Sequence, residues 1–139
     1  MDTVSPEVRS YTMSRVPRRD TTPEVALRKA LWRLGVRGWR LDEPRLPGRP
    51  DLAFWRRKAV VFVDGAFWHG HPAVFRFGTK GDYWDVKIAR NQRRDRASDA
   101  MLGARGWQVV RLWDIEIKRS PGEAVQRIRA ALAAAGRPA

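Results

Sequence analysis

Residues 46–71, LPGRPDLAFWRRKAVVFVDGAFWHGH, contain two apolar runs that determine the architecture. The runs at 52–55 and 59–63 have the apolar, β-branched and aromatic composition of strands, and a short polar turn joins them. A turn of this length predicts an antiparallel hairpin, in which the start of the first strand lies beside the end of the second. Asp51 and Asp64 occupy those two ends. The hairpin therefore predicts two neighbouring carboxylates, which is an arrangement suited to a divalent metal ion.

Outward from the hairpin, the pattern predicts a helix, three strands, a helix, a strand and a last helix. This order indicates an α/β sandwich around a small mixed sheet, in one domain covering 20–139. The first helix starts at a capping threonine in Thr21-Thr22-Pro23-Glu24 and ends at Gly35. The other predicted elements are an edge strand at 38–42, a loop at 72–81, a long polar helix at 82–104, a strand at 107–113 and a final helix that follows Ser120 and runs to 135.

Glu24 has two interpretations at this point. Its spacing from Thr21 matches a capping box, which requires no chemistry, and the residues alone favour that role. The alternative is that its carboxylate belongs to a functional site.

The composition excludes several classes of protein. The chain has 139 residues and no cysteine, so disulfides and thiolate zinc sites are impossible. No apolar run approaches the length of a membrane span, and the first twenty residues lack the hydrophobic block of a signal peptide. We therefore expect a cytoplasmic protein that does not enter a membrane.

The net charge of +13, from 28 Lys and Arg against 15 Asp and Glu, favours a phosphate-rich partner. Solubility, or a GC-rich genome that enriches arginine, would produce the same excess. A basic arm at 1–19 is expected to be ordered only by a partner, or to be disordered without function. The candidate DNA-binding residues in the arm and in the long helix are Arg15, Arg19, Lys87, Arg90, Asn91, Arg93 and Arg94, although a solvated helix face is the ordinary alternative for the last five.

The acid pair resembles the metal centre of the PD-(D/E)xK nucleases, in which an aspartate follows a proline and a second acid ends the next strand. The usual lysine two residues after the second acid is missing, because position 66 is alanine. Another group must then activate water. His69 and His71 both lie within seven residues of Asp64, which makes them candidates.

Four blocks extend this resemblance over nearly the whole chain: LPGRPDLAF, VFVDGAFWHGH, DYWDVKIARNQRRDR and GWQVVRLWD. In order and spacing they are similar to the very-short-patch-repair (Vsr) mismatch endonucleases, as is the opening MSRVPRRDTTPE. The resemblance implies a restriction-endonuclease-like fold. It also implies a magnesium-dependent nickase that cuts DNA on the 5′ side of the thymine in a T:G mispair, which arises when 5-methylcytosine is deaminated.

The same resemblance implies a role for each acid and base of the site. Asp51 would bridge two Mg²⁺ ions, for which Mn²⁺ can substitute, and the backbone carbonyl of Val63 would be another ligand. His69 would take a proton from water while Asp95 orients its ring. Glu24 would hold water in the coordination shell of the metal. Asp64 replaces a histidine that is frequent in the family, so we expect it to bind metal more directly.

Aromatic residues and zinc ligands complete the comparison. Phe67, Trp68 and Trp84 match aromatics that wedge into the duplex beside the mispair. The cysteines of the family's structural zinc site correspond to Ala66, Ala73 and Ile115, and His71 alone remains, so no structural zinc is expected. We expect packing of Phe67, Phe75 and Trp113 to replace it.

The implied partner is double-stranded DNA with a T:G mismatch, together with a possible recruitment protein of mismatch repair. A nickase needs one active site per cut, so a monomer is expected. Two alternatives remain open: a Vsr-like nuclease of restriction or defence with another DNA target, and a DNA-binding module without catalysis.

Overall fold

The computed structural model describes residues 21–135, and the predicted basic arm with Arg15 and Arg19 lies outside this range. None of the helices within 21–135 combines the length and the apolar character that crossing a bilayer demands. The elements in chain order are α1 (Thr22–Arg33), β1 (Arg40–Leu41), β2 (Leu52–Phe54), β3 (Ala59–Asp64), α2 (Asp82–Ala104), β4 (Gln108–Trp113), α3 (Asp114–Arg119) and α4 (Pro121–Ala135).

The predicted hairpin forms the centre of a mixed four-stranded sheet with the order β1-β2-β3-β4. β2 and β3 are antiparallel, with Leu52 opposite Val61. β4 lies parallel to β3, and this register places Phe62 opposite Arg111 and Asp64 opposite Trp113. The sheet flanked by helices confirms the predicted single-domain α/β sandwich, and it is consistent with a restriction-endonuclease-like fold.

Alternation along β3 gives the sheet two apolar faces. Ala59 and Val61 belong to the larger core, which also includes buried side chains of α1, α3 and α4. Val60 and Phe62 point to the opposite face and pack with Leu102 of α2. Successive side chains of a strand point to opposite faces, so Asp64 follows Phe62 on the side of the sheet that α2 covers.

The boundaries of most elements follow the predictions within a few residues. Thr21 caps α1, and its hydroxyl accepts a hydrogen bond from the backbone N–H of Glu24 at 3.4 Å. The edge strand is shorter than predicted, since only Arg40 and Leu41 pair with β2. Helix α3 was not predicted. It begins directly after β4, where the Glu116 side chain accepts a hydrogen bond from the N–H of Trp113 at 3.0 Å.

Glu43 ties the loop before the hairpin to its turn, and we expect the change Glu43→Gln to destabilise the protein. The carboxylate is buried and accepts hydrogen bonds from Arg45 and from the indole of Trp55, the latter at 3.0 Å. The hydrogen bonds from Arg45 are the main reason that the pKa of Glu43 falls to about 2. A carboxyl with a lowered pKa stabilises the folded state above its usual pKa of 4.5, and this contribution disappears as the pH falls towards 2.

Urea denaturation of wild type and Glu43→Gln at pH 7 and at pH 3 measures this effect. We expect the variant to lose about 1 kcal/mol of unfolding free energy at pH 7, because the ion pair with Arg45 is lost and the neutral amide has one acceptor oxygen instead of two. The difference should shrink at pH 3. An equal deficit at both pH values would contradict a charge-dependent contribution.

Candidate active site

A cavity of about 520 Å³ lies between α2 and the ends of the two central strands. Asp51, Asp64 and His69 line it from the side of the sheet. Helix α2 contributes Asn91, Arg94 and Asp95, and β4 contributes Arg111. The structure therefore brings together both acids of the predicted pair, the predicted base and its predicted orienting carboxylate.

Asp51 immediately precedes β2 and is held against β3 by a hydrogen bond. Its Oδ2 accepts from the backbone N–H of Val63 at 2.6 Å. The pKa of Asp51 is raised to about 7, chiefly by burial. The hydrogen bond from Val63 opposes this rise, and the nearby charges of Glu24 and Asp64 contribute to it. An acid with a raised pKa in a cluster of carboxylates is stabilised either by taking up a proton or by binding a cation.

His69 and Asp95 form the shortest polar contact of the cavity, with 2.5 Å between His69 Nδ1 and Asp95 Oδ2. His69 follows β3 in a turn whose carbonyls at Trp68 and His69 accept hydrogen bonds from Asn91 and Gln92 of α2. Burial lowers the pKa of His69, but the hydrogen bond to Asp95 and the charges of Asp64 and Asp95 outweigh it, so the pKa lies above its usual value. Because Nδ1 faces Asp95, Nε2 is the nitrogen available for proton transfer.

Asp64 is buried, with 5% of its surface exposed, and lies between a histidine and an arginine. Its two oxygens accept from Arg111 Nη1 at 3.0 and 3.2 Å, and Oδ1 is 3.8 Å from His69 Nδ1. Burial raises the pKa of Asp64, and the charges of His69 and Arg111 counteract part of this rise. The predicted metal-binding role of Asp64 stays a prediction, and Arg111 competes for the same oxygens.

Two sets of residues in or near this cavity have ligand atoms suited to a metal ion. Asp64, His69 and Asp95 have ligand atoms within 4.8 Å of one another. In this set Nδ1 of His69 and both oxygens of Asp64 are already bound to protein groups. The second set is Asp51, which lines the cavity, and Glu24, whose charge acts on Asp51; their hard oxygen donors are those that Mg²⁺ prefers. The chemistry of these acids fits a divalent cation at Asp51.

The predicted wedge residues form one aromatic cluster next to the cavity. Phe67 packs edge to face against both Trp68 and Trp84, with ring centroids 5.5 and 5.2 Å apart. Phe67 and Trp68 are partly exposed, whereas Trp84 is buried with 7% of its surface exposed. The wedge role of all three stays a prediction, and Trp84 would have to be uncovered to contact DNA.

The predicted DNA-binding residues of α2 differ in their exposure. Arg90, Arg93 and Arg94 are exposed, and Arg94 reaches the cavity. Lys87 is half-buried, with Nζ 5.7 Å from the centroid of a Trp68 ring. The Nδ2 of Asn91 donates to the backbone carbonyl of Trp68 at 2.9 Å, so this side chain shapes the turn that contains His69.

The loop that corresponds to the family's zinc site is packed by aromatic rings. Phe67 and Phe75 are in edge-to-face contact, with centroids 5.7 Å apart. Trp113 instead packs against the imidazole of His71 at 4.7 Å. Nδ1 of His71 accepts a hydrogen bond from the N–H of Ala73 at 3.0 Å, so this histidine belongs to the loop structure.

Arg111 was not predicted as a site residue, although its guanidinium contacts three aspartates of the cavity region. Nε donates to Asp99 at 2.9 Å, Nη1 donates to Asp64, and Nη1 lies 3.6 Å from Asp95 Oδ1. The sequence feature that could have indicated Arg111 is its place, as a charged residue, in the alternating strand predicted at 107–113. Its importance depends on the parallel pairing of β4 with β3, which the sequence alone did not specify.

Comparison with known proteins identifies the family of this chain. The family model described as DNA mismatch endonuclease Vsr matches residues 1–74. A type II nicking enzyme of Xanthomonas oryzae, V.XorIIP, is 43% identical over 120 residues, which cover 84% of this chain and 86% of that protein. A type II nicking enzyme of Neisseria meningitidis serogroup C, V.NmeDIP, is 38% identical over 95% of this chain and 90% of its own length.

A third relative, the DNA mismatch endonuclease Vsr of Escherichia coli K12, is 34% identical over 112 residues, with 79% of this chain and 71% of the relative covered. These values exceed what chance similarity produces over chains of this length. The chain therefore belongs to the Vsr family of DNA mismatch endonucleases and is a DNA endonuclease.

Proposed function

We propose that this endonuclease nicks one strand of double-stranded DNA at a T:G mismatch, on the 5′ side of the mispaired thymine, and that it requires Mg²⁺. One observation carries the proposal: the acidic Asp51 and the His69–Asp95 pair line the same cavity on a chain with a net charge of +13. Such a chain attracts a polyanion and holds a base next to an acidic cation site.

Asp51 would be the principal ligand of the metal ions, with the backbone carbonyl of Val63 beside it. Glu24 would orient water at the same place, in addition to its position in the capped first turn of α1. Asp64 adds a further negative charge to the cavity, and its oxygens are bound by Arg111. A bound divalent cation stabilises the negative charge that develops on a phosphate under attack and lowers the pKa of water.

His69 would remove the proton from the attacking water through Nε2. Asp95 fixes the tautomer, because the hydrogen bond at Nδ1 places the ring proton on that nitrogen. The same carboxylate stabilises the imidazolium that forms when the proton arrives. Asn91 and Gln92 hold the backbone of the turn, so the ring keeps its orientation.

Recognition of the mispair would use the exposed arginines and the aromatic cluster. Arg90, Arg93 and Arg94 can contact phosphates on either side of the cut. Phe67, Trp68 and Trp84 would wedge between base pairs, which costs a few kcal/mol per step and less at a mispair than at a matched pair. Mismatch specificity would then follow from the lower cost of distortion.

The proposal predicts that a T:G duplex is cut faster than its T:A counterpart. With equal flanking sequence, 5 mM Mg²⁺ and enzyme in excess, we expect the T:G strand to be nicked at least about tenfold faster, since an advantage of 1.4 kcal/mol in distortion energy corresponds to a factor of ten. Denaturing gels with each strand labelled separately measure both rate and strand. Equal cutting of matched and mismatched duplexes would exclude mismatch specificity, and the same reactions with EDTA test the metal requirement.

A second candidate is a nicking enzyme associated with restriction that serves a different DNA target. It is favoured by relatives that are named type II nicking enzymes, including those of Xanthomonas oryzae and Neisseria meningitidis. A panel of T:G duplexes that varies the flanking bases and the methylation state separates the two. Cleavage that depends on flanking sequence but not on the mispair would favour the second candidate.

The cellular setting follows from the proposed substrate. The enzyme would act on chromosomal DNA in the bacterial cytoplasm, as a monomer, since one cut requires one active site. A recruitment protein of mismatch repair could deliver it to the lesion, and pull-down from a bacterial extract on mismatched and matched DNA would identify such a partner.

A further inference from the structure

Arg111 is the centre of a charged network that the proposed chemistry has not used. Its guanidinium donates to Asp64 and Asp99 at 3.0 and 2.9 Å, and Nη2 reaches the backbone carbonyl of Asp95 at 3.4 Å. The carbon at the centre of the guanidinium lies 4.0 Å from the centroid of the Phe62 ring. A planar fork that is bonded along two edges and stacked on one face has little freedom to move.

The acids bound by Arg111 are those that surround His69. Asp95 holds Nδ1 of His69, and Asp64 lies 3.8 Å from the same nitrogen. Without a cation here, the two carboxylates would repel each other in a partly buried cavity. Without Arg111, Asp64 and Asp95 would also compete for the imidazole of His69, and the ring would no longer have a single orientation.

We propose that Arg111 is a positioning residue that holds Asp64 and Asp95 beside His69 and keeps the Asp64 carboxylate from binding the divalent cation, which is left to Asp51. This inference rests on the proposed metal-dependent nicking at the same site. This role differs from a purely structural one, because the charge of Arg111 balances the charge of the Asp64 carboxylate. It therefore predicts how the two residues behave when both are changed.

The test compares Arg111→Met, Arg111→Lys, Asp64→Asn and the double variant Arg111→Met/Asp64→Asn. Single-turnover nicking of a T:G duplex gives the rate of the chemical step and the apparent KM for DNA. Binding of Mn²⁺ alone, followed by electron paramagnetic resonance without DNA, gives an independent measure of the cation site. Arg33→Met, at the exposed end of α1, is the matched control, and thermal melting shows which variants are folded.

We expect Arg111→Met to lower the nicking rate about 10–100-fold, as is typical of residues that orient ligands and bases, with little change in the KM for DNA. Its affinity for Mn²⁺ should increase, since the Asp64 carboxylate becomes available as a ligand. Arg111→Lys should recover part of the rate through its charge, and Asp64→Asn in the Arg111→Met background should also recover part, because no unbalanced carboxylate remains.

Several outcomes would overturn the assignment. They are an unchanged rate in Arg111→Met, an unchanged or lower Mn²⁺ affinity in that variant, or a double variant slower than Arg111→Met. If Arg111→Met fails to fold, Asp64→Asn decides the matter: its affinity for Mn²⁺ should equal that of wild type, because Asp64 is not a ligand, and a lower affinity would overturn the assignment. Failure of the wild-type protein to nick any duplex would instead refute the proposed function, and the Mn²⁺ measurements would still decide which acid binds the cation.

Discussion

Asp51→Asn should abolish metal-dependent nicking while leaving the protein folded. The Asp51 carboxylate lines the cavity that also contains His69 and Asp95, and an amide has neither its charge nor its affinity for Mg²⁺. Loss of several kcal/mol of charge stabilisation corresponds to a decrease in rate of about 10³-fold or more. Single-turnover nicking of a T:G duplex in Mg²⁺, with binding of the same duplex measured in parallel, provides the test.

The stability of Asp51→Asn separates this effect from misfolding. Because burial raises the pKa of Asp51 to about 7, the folded protein is penalised as the pH rises from the usual value of 3.8 towards 7. The asparagine has no such penalty, and its amide oxygen can still accept the hydrogen bond from Val63. Metal-free Asp51→Asn should therefore melt at the same or a higher temperature than wild type at pH 8. A lower melting temperature together with lost activity would make Asp51 structural.

His69→Ala should reduce the nicking rate about 10²–10⁴-fold, which is the contribution of a positioned general base. Its Nδ1 is bound to Asp95 at 2.5 Å, so the variant removes the base and also leaves Asp95 without its partner. Binding of DNA should change little, because the ring is not expected to contact the phosphates of uncut DNA. Rates measured at saturating enzyme, and affinities measured in Ca²⁺ to prevent cutting, separate these two quantities.

His71→Gln is the matched control for His69→Ala. The ring of His71 packs against Trp113, so its replacement should alter the melting temperature more than the nicking rate. Asp95→Asn should keep the imidazole in place but favour the wrong tautomer, with a rate between those of wild type and His69→Ala. If His71→Gln were as inactive as His69→Ala, the assignment of the base would be wrong.

The hairpin and its two acids could be predicted because they depend on local information. Two apolar runs of strand length that are joined by a short turn can pair only as an antiparallel hairpin. This pairing places Asp51, at the start of the first strand, near Asp64, at the end of the second. The capped start of α1 and the extent of α2 followed from local patterns in the same way. The proximity of His69 to Asp95 was implied only by the resemblance to the Vsr family. The two residues lie on the turn after β3 and on α2, and a local sequence pattern does not show which side chains of these segments meet.

The network around Arg111 could not be predicted, because it depends on contacts between distant segments. An arginine in an alternating strand normally faces solvent, and only the parallel register of β3 and β4 turns Arg111 towards Asp64. The burial of Trp84 could not be predicted for the same reason, because its position in a polar helix does not indicate that Phe67 and Trp68 pack against it. The short helix α3 begins where the Glu116 side chain accepts a hydrogen bond from the N–H of Trp113, and the strand pattern of β4 does not indicate this contact.

The parallel pairing of β3 with β4 has a consequence for the order in which the protein becomes active. Asp51, Asp64 and His69 leave the ribosome first, but Arg111 reaches them only when the strand beyond α2 has been made and has docked. A chain that stops before Gln108 would have these acids and the imidazole without the guanidinium that binds Asp64 and lies beside Asp95. The site with its full set of charged partners therefore forms only after β4 has paired with β3, so folding of the segment beyond α2 and assembly of the proposed site are coupled.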